Sequence, residues 1–230
     1  MKTNNKAWNA KSENETTVNS DAKRFHNLII VDESGSMSSL YNAALTGMNE
    51  TINTIKASAE KFPNQPQEVT LVTFDTSHYN KIFDSTPVDK TRELTTNDYR
   101  PCGGTPLYDA MGKALTELEP KVKENEAVLV TIITDGYENA SSEYSLQAIR
   151  ALVERLDEKG WLFSYIGANQ NSAEVGKSMG ISDTLDFQAD EHSMAQMWKN
   201  ERVSRMDFYQ VSACNSFEPK KFARGTFFKK

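Results

Sequence analysis

Five oxygen-bearing side chains in this 230-residue chain have types and positions that suit chemistry. Asp32, Ser34 and Ser36 alternate within NLIIVDESGSM, residues 27–37. Thr105 lies in the loop PCGGTP, residues 101–106, and Asp135 follows the run EAVLVTIIT, residues 126–134. All five are hard oxygen donors, with no His or Cys among them, and such a set favours Mg²⁺, Mn²⁺ or Ca²⁺ over zinc or copper. An Asp-x-Ser-x-Ser alternation lets every second side chain of a looped turn aim at one centre, and Gly35 relieves crowding there. Mg²⁺ usually takes one or two carboxylates and keeps several waters. Two aspartates would balance its charge and still let it attract an incoming carboxylate. Singly, each of these residues is also an ordinary cap or turn former. Their joint occurrence at strand ends is what points to a ligand set.

The elements that must carry these residues follow from hydrophobic period. Apolar runs at 25–31, 68–74, 126–134 and 161–166 read as buried strands. A short strand at 184–187 follows, and 79–83 folds back as an antiparallel edge. Helices are expected at 39–61, 106–118, 143–159, 172–179 and 191–206. In the first of them Leu45, Met48, Ile52, Ile55, Ala59 and Phe62 form one apolar face. Thr105 suits the cap of the second helix, Pro106 its first turn, and Gly160 the end of the third. Strands alternating with helices imply an α/β fold, a mostly parallel sheet covered on both faces. Asp32 and Asp135 then stand at carboxyl ends of strands, where open α/β sheets bind ligands.

The chain divides into a polar segment 1–23, expected to be mobile, a globular unit 24–208, and a basic, aromatic tail 209–230. Net charge is −6, which argues against a general nucleic-acid binder. The interleaved Phe217, Phe222, Phe227, Phe228, Lys220, Lys221 and Arg224 of the tail are too short a stretch to reverse that, and read as disordered or surface-docked. No run is long and apolar enough for a membrane span, and the first residues lack the apolar core of a secretory signal. A cytoplasmic location and two free thiols, Cys102 and Cys214, are the corresponding expectations.

The set Asp32-x-Ser34-x-Ser36, Thr105 in GGTP and Asp135 in TDG, in this order on this strand pattern, resembles the von Willebrand factor A domain family with its metal-ion-dependent adhesion site. The resemblance covers about residues 24–187 and implies a doubly wound, six-stranded sheet of order 3-2-1-4-5-6 with the third strand antiparallel. It implies that the two serines ligate the metal, that Thr105, Asp32 and Asp135 do so directly or through water, and that an Asp or Glu from a protein partner completes the coordination. The metal would be Mg²⁺ or Mn²⁺, with Ca²⁺ a poorer fit, and the function metal-dependent protein–protein interaction rather than catalysis. Glu33, at an intervening position, is expected to be a solvated neighbour.

An enzyme at this place would need a positioned base or nucleophile. His26 starts the first strand at the opposite end from the oxygen set, His78 sits in the edge hairpin and His192 begins the last helix. Ordinary surface roles are expected for all three. Cys102 has no evident His partner, and no phosphate loop occurs. The competing enzyme is a Mg²⁺-dependent phosphatase-like hydrolase with Asp32 as nucleophile, although the usual second Asp two residues on is here Ser34. A purely structural metal is the third alternative.

Overall fold

The computed structural model describes residues 23–213 and 225–228. The segment 1–22, Cys214, Phe217, Phe222 and the tail lysines and arginine lie outside the described residues. Six strands form one sheet: β1 (Phe25–Asp32), β2 (Gln67–Phe74), β3 (Tyr79–Pro87), β4 (Ala127–Thr134), β5 (Leu162–Ala168) and β6 (Asp183–Phe187). Their order is β3-β2-β1-β4-β5-β6, and every pairing is parallel except β2 with β3. The expected doubly wound fold is therefore the observed one. Helices α1 (Tyr41–Lys61), α2 (Leu107–Leu118), α3 (Leu146–Glu158), α4 (Ser172–Ser178) and α5 (Glu191–Ser212) cover it.

Every residue of β1, β2, β4 and β5 is buried, as apolar runs between two helical layers must be. The two-residue period of a strand divides them. Phe25, Ile29 and Val31 join Met48, Ile52, Trp198 and Phe208 on the face covered by α1 and α5. Leu28 and Ile30 join Met111, Leu115, Ile149 and Val153 on the face covered by α2 and α3. Each such aliphatic side chain contributes about 2 kcal/mol of burial free energy. After β1 the chain builds β2 and β3 to one side, then crosses to β4 on the other. The crevice between the carboxyl ends of β1 and β4 is thus the switch point.

Polar residues on the α5 side of the sheet are gathered into a buried knot, in which Glu201 Oε2 has no hydrogen-bond partner among the described residues. Arg205 and Glu201 are fully buried and paired at 2.6 Å. Arg205 Nη1 donates to Asn27 Oδ1 at 2.9 Å, and Nη2 to Thr131 Oγ1 at 2.9 Å. Burial alone would lower the Arg205 pKa, but the Glu201 charge and hydrogen bonds outweigh it and hold the guanidinium charged.

Three local expectations change. β3 runs on to Pro87 with irregular register against β2 at Val69–Val72. α5 passes the expected end at Met206 to reach Ser212, where Phe208 and Tyr209 pack edge-on against Phe25 at 6.0 and 5.9 Å. His26 is buried rather than on the surface: its ring lies between Glu126, 2.9 Å from Nε2, and Glu68, 3.3 Å from Nδ1. Of the tail, the described residues are docked. The Gly225 and Phe227 N–H groups donate to the Asp183 carboxylate at 3.0 and 2.7 Å, and Phe227 is buried. No described helix is long and apolar enough to cross a membrane.

Candidate metal centre

The last residue of β1 is Asp32. Its neighbour Val31 is in register with Ile133 of β4, which brings Asp32 beside Thr134. Thr134 Oγ1 donates to Asp32 Oδ2 at 2.6 Å, and the Ser34 N–H donates to Oδ1 at 2.7 Å. Burial raises the Asp32 pKa to about 6; these hydrogen bonds pull it back and the charge of Asp135 adds to the rise. Ser34 Oγ lies 3.1 Å from Ser36 Oγ, and Ser36 Oγ donates to Asp135 Oδ1 at 2.6 Å. Asp135 is half-buried, and burial raises its pKa too.

Thr105 reaches the same place from the third segment. A methyl group added to Gly136 would lie 3.6 Å from Thr105 Oγ1 and 3.9 Å from Ser36 Oγ. The Thr105 and Ser36 hydroxyls therefore border the space in front of Gly136, and the Ser36 bond to Asp135 brings in that segment as well. The donor set can be tested against a hard cation. Adjacent ligands of an octahedral Mg²⁺ with 2.0–2.1 Å bonds are about 2.9 Å apart. The Ser34–Ser36 and Ser36–Asp135 separations, 3.1 and 2.6 Å, bracket that edge. Among the described residues no Lys, Arg or His forms an ion pair with either acid. Two uncompensated carboxylates with converging hydroxyls fit a divalent ion. Among the described residues no three His, Cys, Asp or Glu side chains gather as a metal cluster. The present set has two acids, and its remaining donors are hydroxyls.

Main-chain bonds fasten these loops together. The Gly35 N–H donates to Gly103 O at 3.0 Å, and the Cys102 N–H to Glu33 O at 2.8 Å. Gly103 has φ +66°, a backbone angle that glycine adopts without strain. Tyr99 Oη donates to Asp32 O at 2.7 Å. Glu33 is buried, not solvated, because its Oε1 accepts the Arg100 N–H. Thr105 is held from the other side by Asn139: the Thr105 N–H donates to Asn139 Oδ1 at 2.9 Å, and the Asn139 N–H to Thr105 O at 3.1 Å.

The expected role of Thr105 as a helix cap is not observed. α2 starts at Leu107, and no side chain at its cap position bonds to it. Its free N–H groups are served across the structure instead. Tyr108 N–H donates to Glu138 Oε2 at 3.0 Å and Asp109 N–H to Ser141 Oγ at 3.1 Å. The Asp109 carboxylate in turn accepts the N–H groups of Ser142, Glu143 and Tyr144. This exchange pins the loop after Asp135 to α2 and releases Thr105 to face Gly136. Sequence reading missed Thr134, Asn139, Glu138 and Asp109 as supports. The polar run TDGYEN directly after a buried strand was the available signal for three of them.

Of the residues weighed for catalysis, Cys102 is an exposed free thiol. His78 is largely exposed and sits 3.3 Å from Asp75. His26 lies at the amino end of β1, at the other end of the strand from Asp32.

No protein-family model matches the chain, and no curated protein sequence matches it. Solved structures do. A von Willebrand factor type A protein from Catenulispora acidiphila superposes with TM-score 0.56 at 13% identity, over 80% of this chain and 43% of that one. The vWF domain of the type V pili tip protein Mfa5 from Porphyromonas gingivalis gives 0.59 at 10% identity, over 86% and 98%. The pilus adhesin SpaC from Lactobacillus rhamnosus GG, in its open conformation, gives 0.63 at 12% identity, over 82% and 31%. The chain thus spans less than half of the Catenulispora and Lactobacillus chains. At these identities the likeness concerns the fold, and the chain has the fold of von Willebrand factor type A domains.

Proposed function

We propose that this protein is a metal-dependent protein-interaction module. Asp32, Ser34, Ser36, Thr105 and Asp135 would hold Mg²⁺ or Mn²⁺, and the ion would supply an electrostatic anchor for an Asp or Glu carboxylate of a partner. The observation that carries this reading is the meeting of Ser34, Ser36 and Asp135 at octahedral-edge spacing, with two acids whose pKa values burial raises and that have no basic partner among the described residues. Hard donors and a divalent charge suit a carboxylate ligand. The neighbours named as an adhesin and a pilus tip protein agree with an interaction role.

Two features favour a binder over the hydrolase alternative. Asp32 has both carboxylate oxygens engaged, by the Ser34 N–H and by Thr134, and is fully buried, so it is badly placed to attack a phosphate. Ser34 stands where the second Asp of that chemistry belongs. A reducing, cytoplasmic setting belongs to the same proposal. Calorimetric titration with Mg²⁺ and Mn²⁺ tests the metal, with saturable binding expected and its loss in Ser34→Ala. A flat titration of the native protein would refute it. Metal-dependent hydrolysis of an aryl phosphate, abolished in Asp32→Asn, would favour the enzyme instead. Metal-dependent melting without capture of any carboxylate peptide would favour a structural ion.

A further inference from the structure

A groove of about 470 Å³ has Glu33, the residue between Asp32 and Ser34, in its lining. It lies at the same end of the sheet as those residues, where β1 gives way to Glu33 and β2 turns into β3; the Glu33 N–H donates to Phe74 O at 2.8 Å. Its polar lining includes Glu33, His78, Asn80, Asn97, Asp98 and Arg100. Most of the charge in it is already committed. Glu33 accepts the Arg100 N–H. Asp98 is paired with Arg92 at 2.5 Å and accepts from Thr95, which together hold its carboxyl well below the usual range. His78 faces Asp75. Arg100 differs: its guanidinium is exposed and bonded to Asn97 Oδ1 at 2.8 Å, a neutral partner. Among the described residues lining the groove, Arg100 is the arginine or lysine without an acidic partner, while Glu33 is an acid whose carboxylate accepts only a main-chain N–H.

We infer that this groove is a second subsite for the partner, and that Arg100 there takes a second carboxylate of an acidic segment whose first carboxylate is bound at the metal. The inference rests on the metal reading above and extends it from one acid to a pair. Charge complementarity selects the occupant. A planar guanidinium with several free N–H groups matches a carboxylate in a two-point bond. Asn80 and Asn97 supply neutral amides around it that would accept or donate to a peptide main chain. The backbone N–H of Arg100 is anchored on Glu33, next in sequence to Ser34, so the two carboxylates belong to nearby residues of one segment. An extended peptide advances about 3.3 Å per residue, which sets the search at one to four residues.

The test uses synthetic decapeptides of Gly and Ser carrying one Glu, or that Glu with a second Glu one, two, three or four residues away. They are titrated into ¹⁵N-labelled protein in Mg²⁺ and followed by NMR, which reads millimolar binding. One spacing should bind about two- to five-fold more tightly than the single-Glu peptide, the range of a part-exposed ion pair. The Arg100 Nε resonance should move with that peptide and stay still with the single-Glu one. Arg100→Gln should erase the gain and Arg100→Lys should restore part of it. If the single-Glu peptide binds in Mg²⁺ but no spacing gains, or if the gain survives in Arg100→Gln, the subsite is refuted and the metal reading stands. If Mg²⁺ itself fails to bind, both fall together.

Discussion

Two polar clusters sit on the same sheet, and they have opposite logic. The Arg205 knot lies between α5 and the middle of β1 and β4. It contains one positive and one negative charge, and its donors meet acceptors inside the protein. The oxygen cluster at the carboxyl ends of β1 and β4 contains two acids, no basic side chain among the described residues, and hydroxyls that face the space before Gly136. A buried charge is tolerated when it is paired and hydrogen-bonded. The first cluster pairs its two charges internally; the second holds two acids that make no ion pair among the described residues, which suits the proposed cation. On that proposal, residual charge rather than burial or polarity separates the structural cluster from the functional one.

The comparison can be broken most forcibly at Glu201. Glu201→Ala leaves a fully buried guanidinium without its counter-ion, and should cost about 3–5 kcal/mol of stability in a urea titration. The Mg²⁺ affinity of the molecules that remain folded should not change. A loss below 1 kcal/mol would show that the knot is not the paired unit described.

Asp135→Asn should behave in the opposite way. It removes one of two uncompensated charges and keeps the bond from Ser36, so metal-free stability should stay within about 1 kcal/mol of the native value. Mg²⁺ binding should weaken by about tenfold or more, read by calorimetry. A large drop in stability with unchanged metal binding would invert the assignment of the two clusters.

Acidity separates them next. Folded Asp32 keeps its proton up to about pH 6, whereas an unfolded Asp loses it near 3.8. Between these values the native state holds the extra proton, so this group's contribution to metal-free stability falls as pH rises. Mg²⁺ needs the ionised form, and its affinity should climb through the same interval and level off above it. Asp32→Asn should flatten the stability profile, measured by denaturant midpoints from pH 4 to 7. An unchanged slope would mean that Asp32 is not the group responsible.

The smallest effect is expected from Asn139. Asn139→Ala removes the carbonyl that receives the Thr105 N–H but keeps the main-chain bond from residue 139 back to Thr105. Mg²⁺ affinity should fall about three- to tenfold, toward the low end for supports of metal ligands, with little change in stability. Asn139→Asp, which keeps the acceptor, should recover most of it. Equal affinity in all three proteins would show that Thr105 needs no such support.

Much of the architecture could be read along the chain. LIIV, LVTF and AVLVTIIT are apolar runs that stop at an acid, and a run of that kind has few alternatives to a buried strand. The order of the strands and the antiparallel β3 agree with what the Asp-Ser-Ser, Thr and Asp pattern suggested. Helix ends were less legible. Thr105 followed by Pro106 looks like a cap, but Glu138 and Ser141 do that work from another loop. Glu33 has a solvent-like residue type, yet Arg100 lends it a donor. His26 is one polar residue within an apolar strand, and nothing near it in sequence announces Glu68 or Glu126.

The sequence by itself determined the elements and the chemical kind of the candidate site, because hydrophobic period and donor type are local properties. It also placed the two acids at strand ends, because each ends its own apolar run. Tertiary structure decided which charges are buried and what surrounds them. Asn27 and Arg205 are 178 residues apart, and Ser36 and Asp135 are 99 apart. The counter-charge of Arg205 is local, four residues back at Glu201, but packing of α5 on the sheet is what buries that pair among Asn27 and Thr131, and strand pairing is what brings Asp32 and Asp135 together.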